Sequence, residues 1–306
     1  MFYEITEIVN NPVIYENINE NMNLIYDEYK AHLFFDNKVK YEVLTYLRKT
    51  TDKVLIIGQG AVGKQVKDKL PIYQRWSWCK ELKDFSIIML NDPTLYLNDY
   101  LEAGWFQGTI DDFYMEKIKI ILDNIVNHMN ISMSNVYHYG ASAGGFTALC
   151  LAGMMKGSSA IVDITQTDLT KYRIKIAVDN MLKTSYPGKT LEEVSEEYKD
   201  RISVVHLFRK YKNIPNILYL QNINDNAHNR WQLSPFISLL METYPTLHES
   251  KNSIFELHFY DIWLSYKGGH VPLDKERLYE KIKYAIDIFS KKKDISEFCK
   301  AKKLSN

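Results

Sequence analysis

Residues 136–148 read Val-Tyr-His-Tyr-Gly-Ala-Ser-Ala-Gly-Gly-Phe-Thr-Ala, and no other stretch constrains the fold as tightly. The aromatic and β-branched run Asn135–Tyr139 predicts a buried strand. Phe146–Met155 has no proline and is rich in Ala, Leu and Met, which predicts a helix. Between them lies the pentapeptide Gly140-Ala141-Ser142-Ala143-Gly144. A strand that turns into a helix so abruptly crowds the positions two before and two after the serine, so both are glycine. The serine is then held in a strained conformation with its hydroxyl clear of the sheet. The first N–H of the helix points at whatever that hydroxyl attacks. A glycine-rich turn with an inert serine is the bland alternative, and the rest of the chain must decide between the two.

The elements around this turn alternate. Strands are predicted at Lys53–Ile57, Phe85–Leu90, Ser159–Ile164, Asn216–Gln221 and Ile254–Tyr260. Helices are predicted at Asp111–Met129, Pro235–Tyr244 and Lys275–Ser290. Near the N-terminus, Phe2–Val9, Pro12–Ile18 and Met22–Tyr26 read as short strands, and Tyr41–Lys49 as a short helix. Thr167–Asn213 is polar and helical in pattern, and reads as a cap-like insertion over the sheet edge. The expected class is α/β, a mostly parallel central sheet flanked by helices. One domain is expected over residues 1–290, with a basic tail at 291–306. In such a sheet, functional groups belong at the carboxyl ends of strands.

A serine hydroxyl needs a base within hydrogen-bond reach, and the base needs an acid to fix its tautomer. Of eight histidines, His270 stands out. It follows the last strand, after Gly268-Gly269, and precedes the last helix. His138 lies within the serine strand, and His32, His128, His206, His248 and His258 lie in elements or away from strand ends. The acid expected is Asp225, just past the strand Asn216–Gln221, in preference to Asp261, which is too close in sequence to His270. His228 is a second candidate for the base or for substrate contact.

The elbow at Ser142 and the chain order Ser142, Asp225, His270 resemble the α/β-hydrolase superfamily over roughly residues 50–290. A looser likeness rests on Asp92-Pro93-Thr94-Leu95, Gly104-Trp105-Phe106-Gln107-Gly108 and the doubled glycine of the elbow. It points to a bacterial branch of esterase-like proteins from surface-glycan loci, some of them polysaccharide O-acetyltransferases. The resemblance implies acyl transfer through an acyl-enzyme, ending either in ester hydrolysis or in O-acetylation of a glycan. Hydrolysis needs no cofactor, whereas transfer implies acetyl-CoA as donor. The substrate expected is a small acyl ester or a glycan. Trp105, Trp231 and nearby tyrosines offer faces for a sugar, although packing is the plainer use of each. The first fifty residues resemble no informative motif.

Gly58-Gln59-Gly60-Ala61-Val62-Gly63-Lys64 matches two phosphate-binding patterns, each imperfectly. A P-loop needs Ser or Thr where Gln65 stands, and a dinucleotide site needs an acid about twenty residues on, at the end of the next strand. A nucleotide-binding protein, or a non-catalytic hydrolase-like module, is therefore the alternative. In an acyl-transfer enzyme the same loop supplies an oxyanion donor, Gln59 or Gly60, beside Ala143.

Composition closes off other classes. The 306 residues carry 38 basic and 38 acidic side chains, so no global field favours nucleic acid or an anionic membrane. No apolar run is long enough to span a bilayer. The N-terminus carries acids and does not read as a signal peptide. Cys79, Cys150 and Cys299 are scattered and odd in number, which argues against a disulfide framework, and no pattern predicts a metal. A cytoplasmic protein is expected, with homo-oligomers possible and no stable membrane insertion.

Overall fold

The computed structural model describes residues 3–63, 68–247, 253–264 and 269–291. Among them, nine strands form one sheet: β1 (Val13–Tyr15), β2 (Tyr29–Asp36), β3 (Val39–Tyr46), β4 (Val54–Ile57), β5 (Ser86–Leu90), β6 (Val136–Ala141), β7 (Ser159–Asp163), β8 (Asn216–Asn222) and β9 (Phe255–Tyr260). The spatial order is β1-β2-β3-β5-β4-β6-β7-β8-β9. β3 pairs antiparallel with both β2 and β5, and every other pairing is parallel. β3 alone therefore runs against the rest.

The helices are α1 (Tyr3–Asn10), α2 (Tyr114–His128), α3 (Ala143–Met154), α4 (Lys175–Ser185), α5 (Leu191–Glu197), α6 (Lys199–Ile202), α7 (Val204–Tyr211), α8 (Asn226–His228), α9 (Ser234–Thr243) and α10 (Lys275–Ser290). Alternation along the strands sorts the core into two layers. Val54, Ile56, Ala160, Val162, Ile217 and Tyr219 face one layer, where α2, α3, α7 and α9 pack. Leu55, Ile57, Ile161, Leu218 and Leu220 face the other, under Leu278, Ile282, Ala285 and Phe289 of α10. All of α3 is buried, as its apolar residues on every side require.

Of the N-terminal expectations, the strand at Pro12–Ile18 is found in part as β1, and the others fail. Residues read as a first strand form α1, with Ile8 and Val9 against the α10-side core. Met22–Tyr26 forms no strand, and Tyr26 makes only an isolated bridge to Leu47. Tyr41–Lys49, read as a helix, is mostly β3, and β2 went unrecognised. The two strands form a hairpin over Asn37-Lys38, both at positive φ (46° and 69°). That is the sense of turn that matches strand twist. The segment 164–215 is the crossover from β7 to β8. Its last helix, α7, lies on α3, where Leu207 and Phe208 fill the space left by Gly153. Lys64, Cys299 and the tail after Lys291 lie outside the described residues; Cys79 and Cys150 are buried free thiols.

Candidate active site

The carboxyl ends of β4, β6, β7, β8 and β9 lie side by side, in register through Ile57–Tyr139, Ala141–Asp163, Asp163–Leu220 and Asn222–Tyr260. The chain reverses its direction of travel across the sheet between β5 and β6, so a crevice opens at these ends.

Ser142 sits directly after β6 with φ 54° and ψ −122°, outside the comfortable regions for a residue with a Cβ. Neighbours hold it there. Its N–H donates to the Asp163 carbonyl at 3.0 Å. A Cβ at Gly140 would strike the Gly144 carbonyl, and one at Gly144 the Gly58 carbonyl. Both glycines are thus required by close approach.

The loop after β9 brings in His270. Gly269 has φ 84°, and a Cβ there would meet the Asn224 carbonyl, so the loops after β8 and β9 touch at this point. His270 Nε2 lies 3.0 Å from Ser142 Oγ, and its Nδ1 lies 2.6 Å from Asp225 Oδ2. Asp225 also caps α8, its Oδ1 accepting the His228 N–H at 3.2 Å. Burial opposes the charge on Asp225, but the two imidazoles beside it outweigh burial and hold its carboxyl below the usual range. The structure therefore brings Ser142, His270 and Asp225 into one hydrogen-bonded chain. Asp261 lies apart from it, bonded to the Asn224 amide at 2.6 Å.

His228 is 1% exposed and offers no face to a ligand. Its ring stacks on that of His270, with centroids 4.4 Å apart. Its Nδ1 lies 3.0 Å from the same Asp225 oxygen, without hydrogen-bond alignment. Burial lowers its basicity. Its Nε2 faces the Gln166 amide nitrogen at 3.2 Å, which can only donate. His228 is therefore neutral, with its proton on Nδ1. The same Gln166 nitrogen donates to Ser142 Oγ at 3.0 Å, and Gln166 Oε1 accepts the Trp105 indole N–H at 3.4 Å. Gln166 is fully buried just past β7. Neither an acid nor a histidine, it carries no chemical signature in the sequence; its place just past a strand end is the available signal.

Around Ser142 and His270 lies a cavity of about 650 Å³, also lined by Gly60, Ala61, Arg75 and Arg173. Trp105 and Gln59 are buried and do not line it. The Gln59 side chain instead fixes loops: its oxygen accepts the Asp92 N–H, and its nitrogen donates to the Ile72 carbonyl and to Asn91. The Gly60 N–H donates to Gln74 Oε1 at 3.1 Å. Among the described residues no acceptor takes the Ala143 N–H. No α-helix begins between Ile57 and Tyr114 among the described residues, and positions 64–67, where the helix of either phosphate-binding pattern would start, lie outside them. Asp225, His228 and His270 offer three ligating atoms within 4.8 Å of one another. Two ligands of one tetrahedral ion stand about 3.4 Å apart. The 2.6 Å between Asp225 and His270 is instead a hydrogen bond.

No protein-family model and no curated protein matches the chain. Solved structures do. The capsule O-acetyltransferase of Neisseria meningitidis serogroup A is similar over 88% of this chain and 98% of its own, at 19% identity and a TM-score of 0.58. The chain has the α/β-hydrolase fold. A variant of the Neisseria enzyme in complex with CoA is similar over 84% of this chain and 94% of its own (17% identity, TM-score 0.57). A fluorophosphonate-binding serine hydrolase of Staphylococcus aureus is similar over 85% of this chain and 98% of its own (11% identity, TM-score 0.55). No helix among the described residues is long and apolar enough to cross a membrane.

Proposed function

We propose that the chain is a serine-nucleophile acyl-transfer enzyme, and that its reaction is O-acetylation of a glycan hydroxyl with acetyl-CoA as donor. The observation that carries the first half is the chain of contacts Ser142 Oγ–His270 Nε2 and His270 Nδ1–Asp225 Oδ2, at 3.0 and 2.6 Å. His270 takes the Ser142 proton as Oγ attacks the acyl carbonyl, and Asp225 stabilises the imidazolium. The tetrahedral oxyanion is held by the Ala143 N–H and by the Gly60 N–H, which it takes over from Gln74. Each such donor is worth about 3–4 kcal/mol of barrier. Collapse expels the thiolate, which takes the proton from His270, and leaves an acyl ester on Ser142. His270 then deprotonates the acceptor hydroxyl, whose oxygen attacks the ester carbonyl; collapse of the second tetrahedral intermediate expels Ser142 Oγ, which takes the proton back from His270. With water as acceptor the same steps make the chain an esterase.

The second half is supported by the likeness to the capsule O-acetyltransferase and its CoA complex. A CoA donor carries a cytoplasmic site with it, since that is where CoA thioesters are made. The test is labelling by a fluorophosphonate probe, with Ser142→Ala as control. Ser142-dependent labelling is expected, and its absence in the folded protein refutes the reading. Acetyl-CoA with and without an oligosaccharide acceptor then separates transfer from hydrolysis: sugar-dependent release of CoA, with acetyl on the sugar, is the outcome for a transferase.

A further inference from the structure

The cavity over Ser142 carries a charge pattern that acyl transfer by itself does not call for. Among the described residues that line it there is no carboxylate, whereas there are two arginines, Arg75 and Arg173. Among the described residues neither forms an ion pair; the one arginine that does is Arg277, with Asp274. The acid whose field Arg75 meets is Asp163, which is fully buried and already occupied by Tyr260 and Leu273. The molecule as a whole has no net charge, so this positive spot is local.

Arg75 is also fixed in place. Its backbone is left-handed, with φ 66°, a conformation a non-glycine residue keeps only where its surroundings enforce it. Its guanidinium packs over the rings of Trp78 and Tyr139, 5.2 and 5.4 Å from the centroids, which orients the plane. Arg173 is exposed, just ahead of α4 on the β7–β8 crossover, on the opposite side of the chain's order. Two arginines from separate segments, lining one cavity and without an ion pair among the described residues, suit an oxyanion with several acceptor oxygens, which guanidinium groups bind bidentately.

We infer that Arg75 and Arg173 form an anion subsite of the acyl-transfer cavity and hold a phosphate or carboxylate group borne by the substrate. The inference rests on the acyl-transfer reading for what the anion is attached to. The group has two sources: the phosphates of a CoA donor, or an acidic group on the glycan acceptor.

The probes are acetyl-CoA, the uncharged thioester S-acetyl-N-acetylcysteamine, and inorganic diphosphate. Arg173→Met is the main variant, because an exposed side chain is not needed for folding; Arg75→Lys is the second, retaining charge without the fork. If the donor supplies the anion, the ratio of kcat/KM on acetyl-CoA to that on the neutral thioester falls at least about tenfold in Arg173→Met, as loss of one charge-assisted hydrogen bond predicts. Diphosphate competes with acetyl-CoA in the wild type, and less in the variant. If the acceptor supplies it, the donor ratio holds, and the preference for a phosphorylated or carboxylated oligosaccharide over a neutral one falls instead. Unchanged ratios in both arms, with Ser142 still labelled by the fluorophosphonate, overturn the subsite and leave the acyl-transfer reading standing. Failure of that labelling overturns the reading, whereas diphosphate raising the Tm of the wild type and not of Arg173→Met supports the anion site on its own.

Discussion

At the scale of single residues, the chemistry turns on where protons sit. Asp225 receives the His270 ring N–H and, through the same oxygen, faces the His228 ring N–H. An amide in its place would present a donor to one or both rings and reverse the His270 tautomer. Asp225→Asn is therefore expected to lower kcat by about 10⁴-fold with the fold intact, the loss typical of a mis-set tautomer, as measured by ester turnover and circular dichroism. Gln166 has a different task. Its N–H to Ser142 Oγ favours the His270 direction for the hydroxyl proton, and in the proposed mechanism it would stabilise the serine oxygen when that oxygen leaves the acyl-enzyme. Gln166→Ala should slow turnover by roughly tenfold, one hydrogen bond's worth, and in stopped-flow should slow the steady state more than the burst. An equal effect on both phases would assign Gln166 to ground-state positioning alone. His270 and Asp225 were legible in the sequence because each is an ionisable residue just past a strand. Gln166 stands in the same kind of place, but a neutral amide carries no signature of chemistry.

At the scale of elements, legibility followed burial on both faces. β4 to β8 are central and buried, and the helices between them are amphipathic or wholly buried, so period and composition agreed; β9, half-buried at the edge, is legible from its aromatic run. The failures lie at the opposite edge. Tyr3–Asn10 is rich in β-branched and aromatic residues yet forms a helix, because packing on the α10-side core overrides weak propensity. The β2–β3 turn is Asn-Lys rather than Asn-Gly, so two left-handed residues went unannounced. Contact between loops was equally invisible. Gly269 matters because the Asn224 carbonyl sits where its Cβ would be, and no sequence pattern records that. Gly269→Ala meets both a positive φ and a clash, and is expected to cost about 1–3 kcal/mol in urea unfolding. It should also slow fluorophosphonate labelling of Ser142, since any relief moves His270 away from Asp225.

At the scale of the whole molecule, the site's loops are tied to the sheet by a buried carboxyl, and this makes stability depend on pH. Asp163, at the end of β7, accepts from the Tyr260 hydroxyl at 2.6 Å and from the Leu273 N–H at 2.8 Å, pinning the chain just beyond His270. Burial pushes its carboxyl up to about 7. The hydrogen count favours the same direction. Tyr260 has one proton but faces two acceptors, Asp163 and the Val271 carbonyl at 2.8 Å. A proton on Asp163 donates to the Tyr260 oxygen and frees Tyr260 to donate to Val271, so every atom is satisfied. The folded chain thus keeps a proton that the unfolded chain loses near pH 4, and stability falls as pH rises from about 4 to about 7. Asp92, raised to about 6 by burial, adds the same sign over a narrower window. Asp163→Asn places an N–H where the carboxyl proton was and does not titrate. It should remove up to about 1.4 kcal/mol per pH unit of slope in that window, measured by urea unfolding at several pH values. A wild-type slope that the substitution leaves unchanged would mean that Asp163 is ionised in the folded protein, with Tyr260 donating to it and the Val271 carbonyl left to another donor.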